Sequence, residues 1–487
     1  MTQTDLLILG GGITGAMTAC LAARRGWSVT LLERGDLASG ASGATSHMLH
    51  GGLRYLEHGR LGLVREALHE RRFWLDRAPE FSRAVRFLVP LRRDGRVGTL
   101  KLRAGLWLYD RLAGSQNIEP ASGHSSADIG RLEPSIDIAS LSGGGAYTDG
   151  VVDDAGLAIA LAREARAHGA LIRTYREPIS ARRLDDGTFE LTTRDSLAED
   201  ATRASDVIHA RVIVNATGCW SDATRAFLAA QLGLPTPSPR LKPSRGVHLV
   251  YPALTRGHGI LFFARSDGRV LFVVPFAGRS LVGTTEMPVD SPPTLEQQRP
   301  TRGEMAYLRR ELANVIPESP GRRPLAVFSG IRPLMSNGKA VGRASREHHV
   351  SNEAGVISIA GGKYTTARVM ANDVLEAAAR QLGRSSDAGH DALPARVDRW
   401  QDGPDPVALA DESINDLFAR RLDDVMRRRS HLWLEDDRGL DRVGAVATAM
   451  GIRLGWSLAR RNDEVDAYRG AVAAEQELIA RSGDSNT

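Results

Sequence analysis

Three glycines and one glutamate near the start of the chain have the types and spacing of a phosphate-binding turn. Gly10, Gly12 and Gly15 form a G-x-G-x-x-G pattern, and Glu33 closes the next apolar stretch. In such a pattern the first glycine permits a tight turn, the second lets the backbone approach a pyrophosphate, and the third lets a helix pack against a strand. A carboxylate at the position of Glu33 accepts hydrogen bonds from ribose hydroxyls and disfavours a 2′-phosphate. The spacing therefore predicts a dinucleotide site.

The apolar pattern around these residues predicts the elements that hold them. Residues 5–9 have the pattern of a short buried strand, residues 16–25 that of a helix, and residues 28–32 that of a second strand. A helix that begins at the glycine turn points its positive N-terminus at the phosphates. A glycine turn without a ligand is the alternative, but the ordered strand, helix and acid favour a dinucleotide-binding βαβ unit.

The pattern of a strand followed by a glycine turn occurs twice more along the chain. Residues 212–218 predict a buried strand that ends in a glycine turn, and residues 356–363 repeat it before a helix. A nicotinamide dehydrogenase is not usually built in this way, whereas a flavoprotein holds one extended FAD with the first, middle and last segments of its chain. Residues 245–286 predict antiparallel strands, and residues 113–150, rich in Gly and Ser, predict loops.

These patterns predict an α/β fold with a Rossmann-like FAD-binding domain, an antiparallel-sheet substrate domain and a C-terminal helical cap. We expect a discontinuous oxidoreductase unit over residues 1–383, a polar linker over 384–407 and a helical domain over 408–487. Within the first unit, the cofactor-binding part takes about residues 1–80, 150–220 and 330–383, and the substrate-binding part takes about residues 81–149 and 221–329.

Length, composition and charge narrow the function classes. A chain of 487 residues predicts two to four domains, and 42% hydrophobic with 25% charged residues is typical of a soluble globular protein. A net charge of +5 is too mild to indicate nucleic acid but suits an anionic substrate or an anionic membrane surface. Two cysteines, Cys20 and Cys219, indicate neither a disulfide framework nor a metal site. We expect no signal peptide, no membrane-spanning helix and a cytoplasmic location, with peripheral contact at the inner face of the membrane left open.

Seven stretches, in order, resemble the FAD-dependent glycerol-3-phosphate dehydrogenases. The stretch HGGLRYLEH at residues 50–58 is the most specific of them, whereas the others also occur across the wider FAD-dependent amine and hydroxy-acid oxidoreductases. The matching stretches are residues 5–15, 50–58, 151–154, 215–218, 283–285, 329–334 and 361–366, and residues 455–456 and 466–469 resemble the family's helical cap.

The resemblance implies oxidation of sn-glycerol 3-phosphate to dihydroxyacetone phosphate, with FAD taking the hydride and a quinone taking the electrons. Such chemistry needs arginine forks for the phosphate and a proton acceptor for the C2 hydroxyl, most often histidine. The expected catalytic set is His50 or His248 as the base, Arg54 and Arg332 at the phosphate, and Lys363 at the flavin or substrate. The expected cofactor-binding residues are Gly10, Gly12, Ile13, Thr14, Gly15, Glu33, Ser42, Thr45, Ser46, Ala216, Thr217, Gly218, Gly362, Lys363 and Thr365.

Each assignment has a plainer alternative. The arginines could be surface groups, the histidines satisfied structural residues, and Lys363 a solvated lysine at a helix start. Two departures from the family pattern affect local contacts: His47 stands where lysine is common, and Ala367 where tyrosine is frequent. An oxidase that uses oxygen, a related amine or 2-hydroxy-acid oxidoreductase, and a flavin-binding regulatory protein without turnover remain rival functions. A homodimer also remains open.

Two basic stretches call for separate interpretation. Residues 83–111 mix arginines and lysine with Trp107 and Tyr109, which predicts either a membrane-surface patch that feeds quinone or a basic loop that covers core side chains. The run Arg427 to Arg429 is most simply a solvated helix face or a helix C-terminus.

Overall fold

The computed structural model describes residues 2–198, 205–294, 296–336, 347–385, 393, 396–400 and 405–482. Its strands, in chain order, are β1 (Thr2–Leu9), β2 (Val29–Leu32), β3 (Met48–Leu49), β4 (Ser82–Arg92), β5 (Ser122–His124), β6 (Leu141–Val152), β7 (Leu171–Arg173), β8 (Arg176–Arg183), β9 (Phe189–Asp195), β10 (Ser205–Asn215), β11 (Ser244–Pro252), β12 (Gly259–Phe263), β13 (Val270–Phe276), β14 (Arg279–Gly283), β15 (Met287–Pro288), β16 (Ala326–Arg332), β17 (His348–Glu353) and β18 (Val356–Gly361). The helices are α1 (Ile13–Arg24), α2 (Leu61–Arg77), α3 (Thr99–Ala113), α4 (Ser126–Leu132), α5 (Asp154–Ala167), α6 (Ser221–Gln231), α7 (Arg302–Ala313), α8 (Ala367–Leu382), α9 (Pro406–Asn415), α10 (Leu422–Asp424), α11 (Val443–Leu454) and α12 (Leu458–Arg481).

The first sheet has the order β17-β18-β10-β1-β2-β7, and a β8–β9 hairpin extends β10. Strands β18, β10, β1, β2 and β7 run parallel, so their carboxyl ends meet at one edge. Leu6 and Ile8 of β1 pack with α1, α5 and α8, whereas Leu7 and Leu9 pack on the opposite face. A parallel strand covered on both faces reads as a continuous apolar run, which is why residues 5–9 could be identified.

The βαβ unit begins as predicted, with α1 directly after the glycine turn. Gly10 has a φ of +107°, which residues with a side chain rarely adopt. A Cβ at Gly15 would lie 1.9 Å from the Gly10 carbonyl oxygen. Gly15 therefore lets α1 approach the turn, as its position in the pattern predicts.

The second sheet has the order β15-β11-β14-β13-β12-β4-β6-β3, with β16 paired to β11 and β5 to β6. It is mixed, because β12 runs parallel to β4 while the pairs β11–β14, β13–β14 and β4–β6 are antiparallel. One face packs against α7, and the other packs against α2 and α3. The predicted antiparallel strands of residues 245–286 are confirmed. The domain boundaries stay a prediction. Strand β3, at residues 48–49, pairs in this sheet although its residues fall within the predicted cofactor-binding part.

The prediction of loops over residues 113–150 is wrong. The segment contains β5, α4 and most of β6, and β6 pairs with β4 along its whole length. The glycines of β6 are strand residues packed under neighbours: a Cβ at Gly144 would lie 2.3 Å from the Val89 carbonyl oxygen. Composition alone could not separate such a strand from a flexible loop, because the same small residues serve both.

The C-terminal part is helical, as predicted, and packs α9, α11 and α12 around its own apolar core. The predicted linker lies partly outside the described residues, and within it Val397 and Trp400 are buried. Residues 427–429 end a π-helical turn, so of the two interpretations of this run the helix C-terminus is confirmed. The solvated helix face is wrong, because Arg429 is completely buried. Within the described residues, every helix is too short or too polar to cross a lipid bilayer.

Candidate functional site

A cavity of about 1180 Å³ gathers the three glycine turns and the end of the second sheet. Most of the predicted site residues line it; the exceptions are Gly15, which lies beneath the turn, and Arg54, whose side chain falls outside the description. Those that line the cavity are Gly10, Gly12, Ile13, Thr14, Glu33, Ser42, Thr45, Ser46, His50, Ala216, Thr217, Gly218, His248, Arg332, Gly362, Lys363 and Thr365.

Glu33 joins the glycine turn to the loop that follows β2. Its carboxylate accepts hydrogen bonds from the Gly11 N–H at 2.7 Å and the Gly35 N–H at 2.9 Å. Burial raises the pKa of the Glu33 carboxyl, and the two N–H groups oppose that rise. The glutamate thus fixes the shape of the turn as well as facing the cavity.

The start of α1 lies at the cavity. Gly12 caps the helix, and the Ser42 hydroxyl oxygen accepts a hydrogen bond from the Ile13 N–H at 2.9 Å. A Cβ at Gly12 would lie 2.9 Å from that oxygen, so a side chain there would displace the Ser42 hydroxyl that accepts from the Ile13 N–H. Backbone N–H groups at a helix start bind phosphate, and this end therefore suits a pyrophosphate.

The middle turn is held by the buried Asn215 at the end of β10. Its amide donates to the Ser221 carbonyl at 3.0 Å, and its side-chain oxygen accepts from the Thr217 hydroxyl at 2.7 Å. Asn215 therefore fixes the conformation of the 216–218 turn from beneath.

Two cavity-lining residues that closely follow these two turns, Arg34 and Trp220, were not predicted from the sequence. The guanidinium of Arg34 lies 4.2 Å from the centre of the Trp220 ring, and both line the cavity with Glu177, Pro178 and Phe227. Arg34 comes directly after Glu33, and Trp220 follows the 216–218 turn closely. Because each of them lies close to a turn that the sequence identifies, this position could have indicated both residues.

His248 lies on β11 in an apolar pocket. Its Nε2 is 2.8 Å from the Ser46 hydroxyl, its ring stacks on Phe328 at 4.9 Å, and its Nδ1 is buried without a hydrogen-bond partner in the described part of the chain. Burial, and then the positive charge of Arg332, hold the pKa of His248 well below its ordinary value of 6.5. The imidazole is therefore neutral near pH 7 and can accept a proton.

Arg332 is the last residue of β16. Its Nη2 donates to the Thr284 hydroxyl at 2.6 Å, and its guanidinium reaches the Thr285 carbonyl at 3.3 Å. A Cβ at Gly246 would lie 2.1 Å from that Nη2, so only glycine leaves room for the arginine there.

A buried ion pair supports this corner. The Thr285 hydroxyl donates to Glu304 at 2.9 Å, and Glu304 also accepts from Arg245 at 2.7 Å. Sequence reasoning missed the pair because its members gain their meaning only when β11, α7 and the 284–285 turn are brought together.

His50 and Lys363 both lie near the ring of Tyr55. The Lys363 ammonium is 4.1 Å from the centre of the Tyr55 ring, and the ring of His50 is 6.3 Å from it. The main chain of Thr365 is anchored from below, because the indole N–H of Trp74 donates to its carbonyl at 2.9 Å.

A second buried network holds the glycines after His50. The Gly51 N–H donates to the Tyr109 hydroxyl at 3.0 Å, Tyr109 donates to Asp149 at 2.8 Å, and Arg71 donates to Asp149 at 2.7 Å. Tyr109 is therefore a buried support and does not belong to the surface patch that was one of the two interpretations of residues 83–111. Burial raises the pKa of Asp149, and Arg71 opposes that rise.

Thr45 and His47 are held by one carboxylate. The Thr45 hydroxyl donates to Asp154 at 2.6 Å, and the His47 Nδ1 lies 3.5 Å from the other oxygen of Asp154. His47, the departure from the family pattern, is buried with its ring 4.2 Å from that of Phe276.

Two further cations, Lys101 and Arg269, line the cavity and were not predicted. Arg332 and Lys363 line the same cavity, which also presents the start of α1 and the three glycine turns. The arrangement suits a dinucleotide in the long part of the cavity and a small anion beside a neutral histidine.

Comparison with known proteins agrees with this geometry. A family model described as FAD dependent oxidoreductase matches residues 5–368. A glycerol-3-phosphate dehydrogenase of Mycobacterium leprae (strain TN) is 33% identical over 97% of this chain and 88% of that protein. The mitochondrial glycerol-3-phosphate dehydrogenase of Saccharomyces cerevisiae is also 33% identical, over 77% of this chain and 63% of that protein.

Solved structures share the fold. The glycerol-3-phosphate dehydrogenase from Bacillus halodurans complexed with FAD has a TM-score of 0.72 at 23% identity and covers 96% of this chain and 94% of that chain. An L-alpha-glycerophosphate oxidase from Mycoplasma pneumoniae with FAD bound has a TM-score of 0.60 at 21% identity, covering 82% of this chain and all of that chain. The predicted fold class and the predicted cofactor, FAD, are confirmed.

We expect Glu33→Arg to lose most of its flavin on purification. The substitution removes the acceptor of the Gly11 and Gly35 N–H groups and places a cation at the expected ribose position. The measurement is the ratio of flavin to protein absorbance, with circular dichroism to confirm folding. Full FAD occupancy in folded Glu33→Arg would contradict the placement of the ribose.

Proposed function

Because the chain belongs to the FAD-dependent oxidoreductases, and within them to the glycerol-3-phosphate dehydrogenases, we propose that it oxidises sn-glycerol 3-phosphate to dihydroxyacetone phosphate and passes the electrons to a quinone. The observation that carries the proposal is the pairing of Arg332 with a buried, neutral His248 at one end of the cofactor cavity.

The residues that would hold FAD lie along the cavity. The glycine turn and the start of α1 receive the pyrophosphate, Glu33 the ribose, and the turns at residues 216–218 and 361–365 the remainder. Bound FAD supplies the hydride acceptor. The cradle fits such a ligand because Gly10 and Gly12 line the cavity, and a Cβ at Gly10 would lie 2.6 Å from the Ala216 carbonyl oxygen, so glycine lets the first and middle turns approach each other.

Arg332 is proposed to hold the substrate phosphate. A guanidinium presents a planar fork that matches phosphate oxygens, and its contacts with Thr284 and Thr285 fix the plane of the fork. Lys101 and Arg269 add positive charge to the same cavity. Arg54 remains a candidate from the sequence.

His248 is proposed as the base that takes the proton of the C2 hydroxyl. Its burial keeps it neutral, and the Ser46 hydroxyl and the Phe328 ring fix its orientation. His50 and Lys363 line the same cavity and are the alternatives.

Helix α3 supports the proposed quinone acceptor and a peripheral site at the inner face of the cytoplasmic membrane. Its inner face lines the cavity with Leu102, Gly105 and Leu108, while Leu100 and Trp107 are 83% and 65% exposed on its outside. Exposed bases on the same helix, Arg103 and Arg111, suit anionic lipid. The predicted patch thus narrows to α3, since β4 is largely buried.

The proposed reaction can be tested by mixing the protein with glycerol 3-phosphate without oxygen. We expect the absorbance of oxidised flavin to disappear, and to return when a soluble quinone is added. Retained absorbance would favour a regulatory flavoprotein. Faster return with oxygen than with quinone would favour an oxidase.

Arg332→Ala should lower kcat/KM for glycerol 3-phosphate by an amount equivalent to about 2–4 kcal/mol, because a charge-assisted phosphate contact is lost. Glycerol, which lacks the phosphate, should be a very poor substrate of the parent. Arg182→Ala, which removes an exposed guanidinium of β8, is the matched control and should behave as the parent does. Parental kcat/KM in Arg332→Ala would remove Arg332 from the phosphate site.

Flavin reduction should rise with pH through one ionisation, because the base must be neutral to accept a proton. Since the pKa of His248 is depressed, the midpoint should lie below 6.5 if His248 is the base. His248→Asn should then slow reduction roughly 10²–10⁴-fold with FAD retained. If only His50→Asn is slow, His50 is the base, and if neither is slow, Lys363 or a bound water replaces both.

The protein should co-sediment with anionic vesicles at low salt and be partly released at high salt, since each base contributes about 1 kcal/mol near such a surface. Replacing Trp107 by Ser and Arg103 and Arg111 by Gln should weaken sedimentation while turnover with a soluble dye stays parental. Leu458→Ser removes a similarly exposed apolar side chain from α12 and is the control. A parent that ignores the vesicles would contradict the membrane site.

A further inference from the structure

Two of the three arginines of the π-helical turn, Arg428 and Arg429, contact one buried carboxylate in the loop after β2, that of Asp36. Arg429 is completely buried and Asp36 is 2% exposed. The Arg429 guanidinium contacts both oxygens of Asp36, with Nη2 to Oδ1 at 2.6 Å, and its Nε donates to the Leu417 carbonyl at 3.0 Å. Arg428 also donates to Asp36. Because these charges are shielded from water, the geometry of the contact is strongly fixed.

Asp36 belongs to the loop that forms the Glu33 end of the cavity. The Glu33 carboxylate holds the Gly35 N–H, and the Gly35 carbonyl accepts from the Tyr175 N–H at 2.9 Å. The Tyr175 hydroxyl in turn donates to Asp424 at 2.6 Å, directly before the π-helical turn. The loop of residues 33–39 therefore lines the cavity on one side, and on the other side it is held by the C-terminal helical segment, residues 405–482.

A second contact connects the C-terminal helical segment with the loop of residues 42–47, which also lines the cavity. His431 Nε2 lies 3.3 Å from Asp153, the N-cap residue of α5, and the next residue, Asp154, holds Thr45. The ring of Phe276 lies between those of His431 and His47, at 5.5 Å and 4.2 Å. The same segment thus supports the loop of residues 42–47 as well.

We propose that the C-terminal helical segment is a positioning element for FAD, acting through Asp36 and Asp153 on the two loops that line the cavity. Arg428 and Arg429 are positioning residues in this scheme, since neither lines the cavity. Coupling between two binding events is reciprocal, so docking of the segment strengthens FAD binding and bound FAD strengthens docking. The inference rests on the cofactor and not on the identity of the substrate.

The forward test is the affinity for FAD. Arg429→Lys keeps the charge but removes the two-pronged contact with Asp36, and Asp36→Asn removes the shared charge. We expect the Kd of FAD to rise at least tenfold in each variant, while kcat and the KM for glycerol 3-phosphate, measured at saturating FAD, stay within twofold. Asp411→Asn, which breaks the exposed pair with Arg453 in the same segment, is the control and should leave Kd unchanged.

Folded variants with parental Kd would overturn the proposal. A loss of kcat at saturating FAD with an unchanged Kd would also overturn it, because the contact would then act on the reaction and not on cofactor binding. Failure of the substrate reaction alone, with the Kd shift present, would count against the proposed function only.

The reverse test uses the parent protein and does not depend on the folding of a variant. Amide hydrogen exchange is compared between the FAD-loaded protein and the protein stripped of FAD, at labelling times shorter than global unfolding. We expect peptides that cover residues 417–434 to exchange at least threefold more slowly with FAD bound, while peptides within α11 change little. Equal exchange in residues 417–434 would overturn the coupling, whatever the variants do.

Discussion

The parallel pairing of β10 with both β1 and β18 is the constraint on which the site depends. Leu9 of β1 pairs with Asn215 of β10, and Asn215 pairs with Ser358 of β18. In a parallel sheet all carboxyl ends face one edge, so this register brings the turns after β1, β10 and β18 into one cavity. A slip of one residue would exchange the side chains of β1 that pack on the two faces of the sheet and move its glycine turn away from the other two.

Buried polar groups then fix what the sheet brings together. Asn215 holds the middle turn, Glu304 holds the corner of Arg332, and Asp149 holds the glycines after His50. Each is an acceptor whose burial is costly unless its partners are in place, so each of these loops has one favoured conformation. The site is consequently built by residues that do not face the ligand, and substitutions at these positions should disturb it as much as changes in the lining itself.

The sequence predicted the parts of the molecule whose signals are local. Gly10, Gly12 and Glu33 lie within one βαβ unit, and the apolar strands and the helical C-terminal part are visible in short windows. The sequence did not predict the buried role of Arg429, because its partner Asp36 lies almost 400 positions away in the chain. It likewise could not separate Tyr109 from the exposed Trp107 two residues earlier, since only the packing of α3 decides which side of the helix is covered.

In the proposed function, Arg332 connects substrate binding with proton transfer. Its positive charge is, after burial, the main reason that the pKa of His248 is depressed, so the free site holds a neutral but weakly basic imidazole. A bound phosphate would offset part of that charge and raise the pKa of His248 toward its ordinary value. The histidine would then become a stronger proton acceptor at the moment when the hydroxyl group is present. A substrate without the phosphate would lose both the binding contact and this gain in basicity, which gives the arginine a role in selectivity beyond attraction.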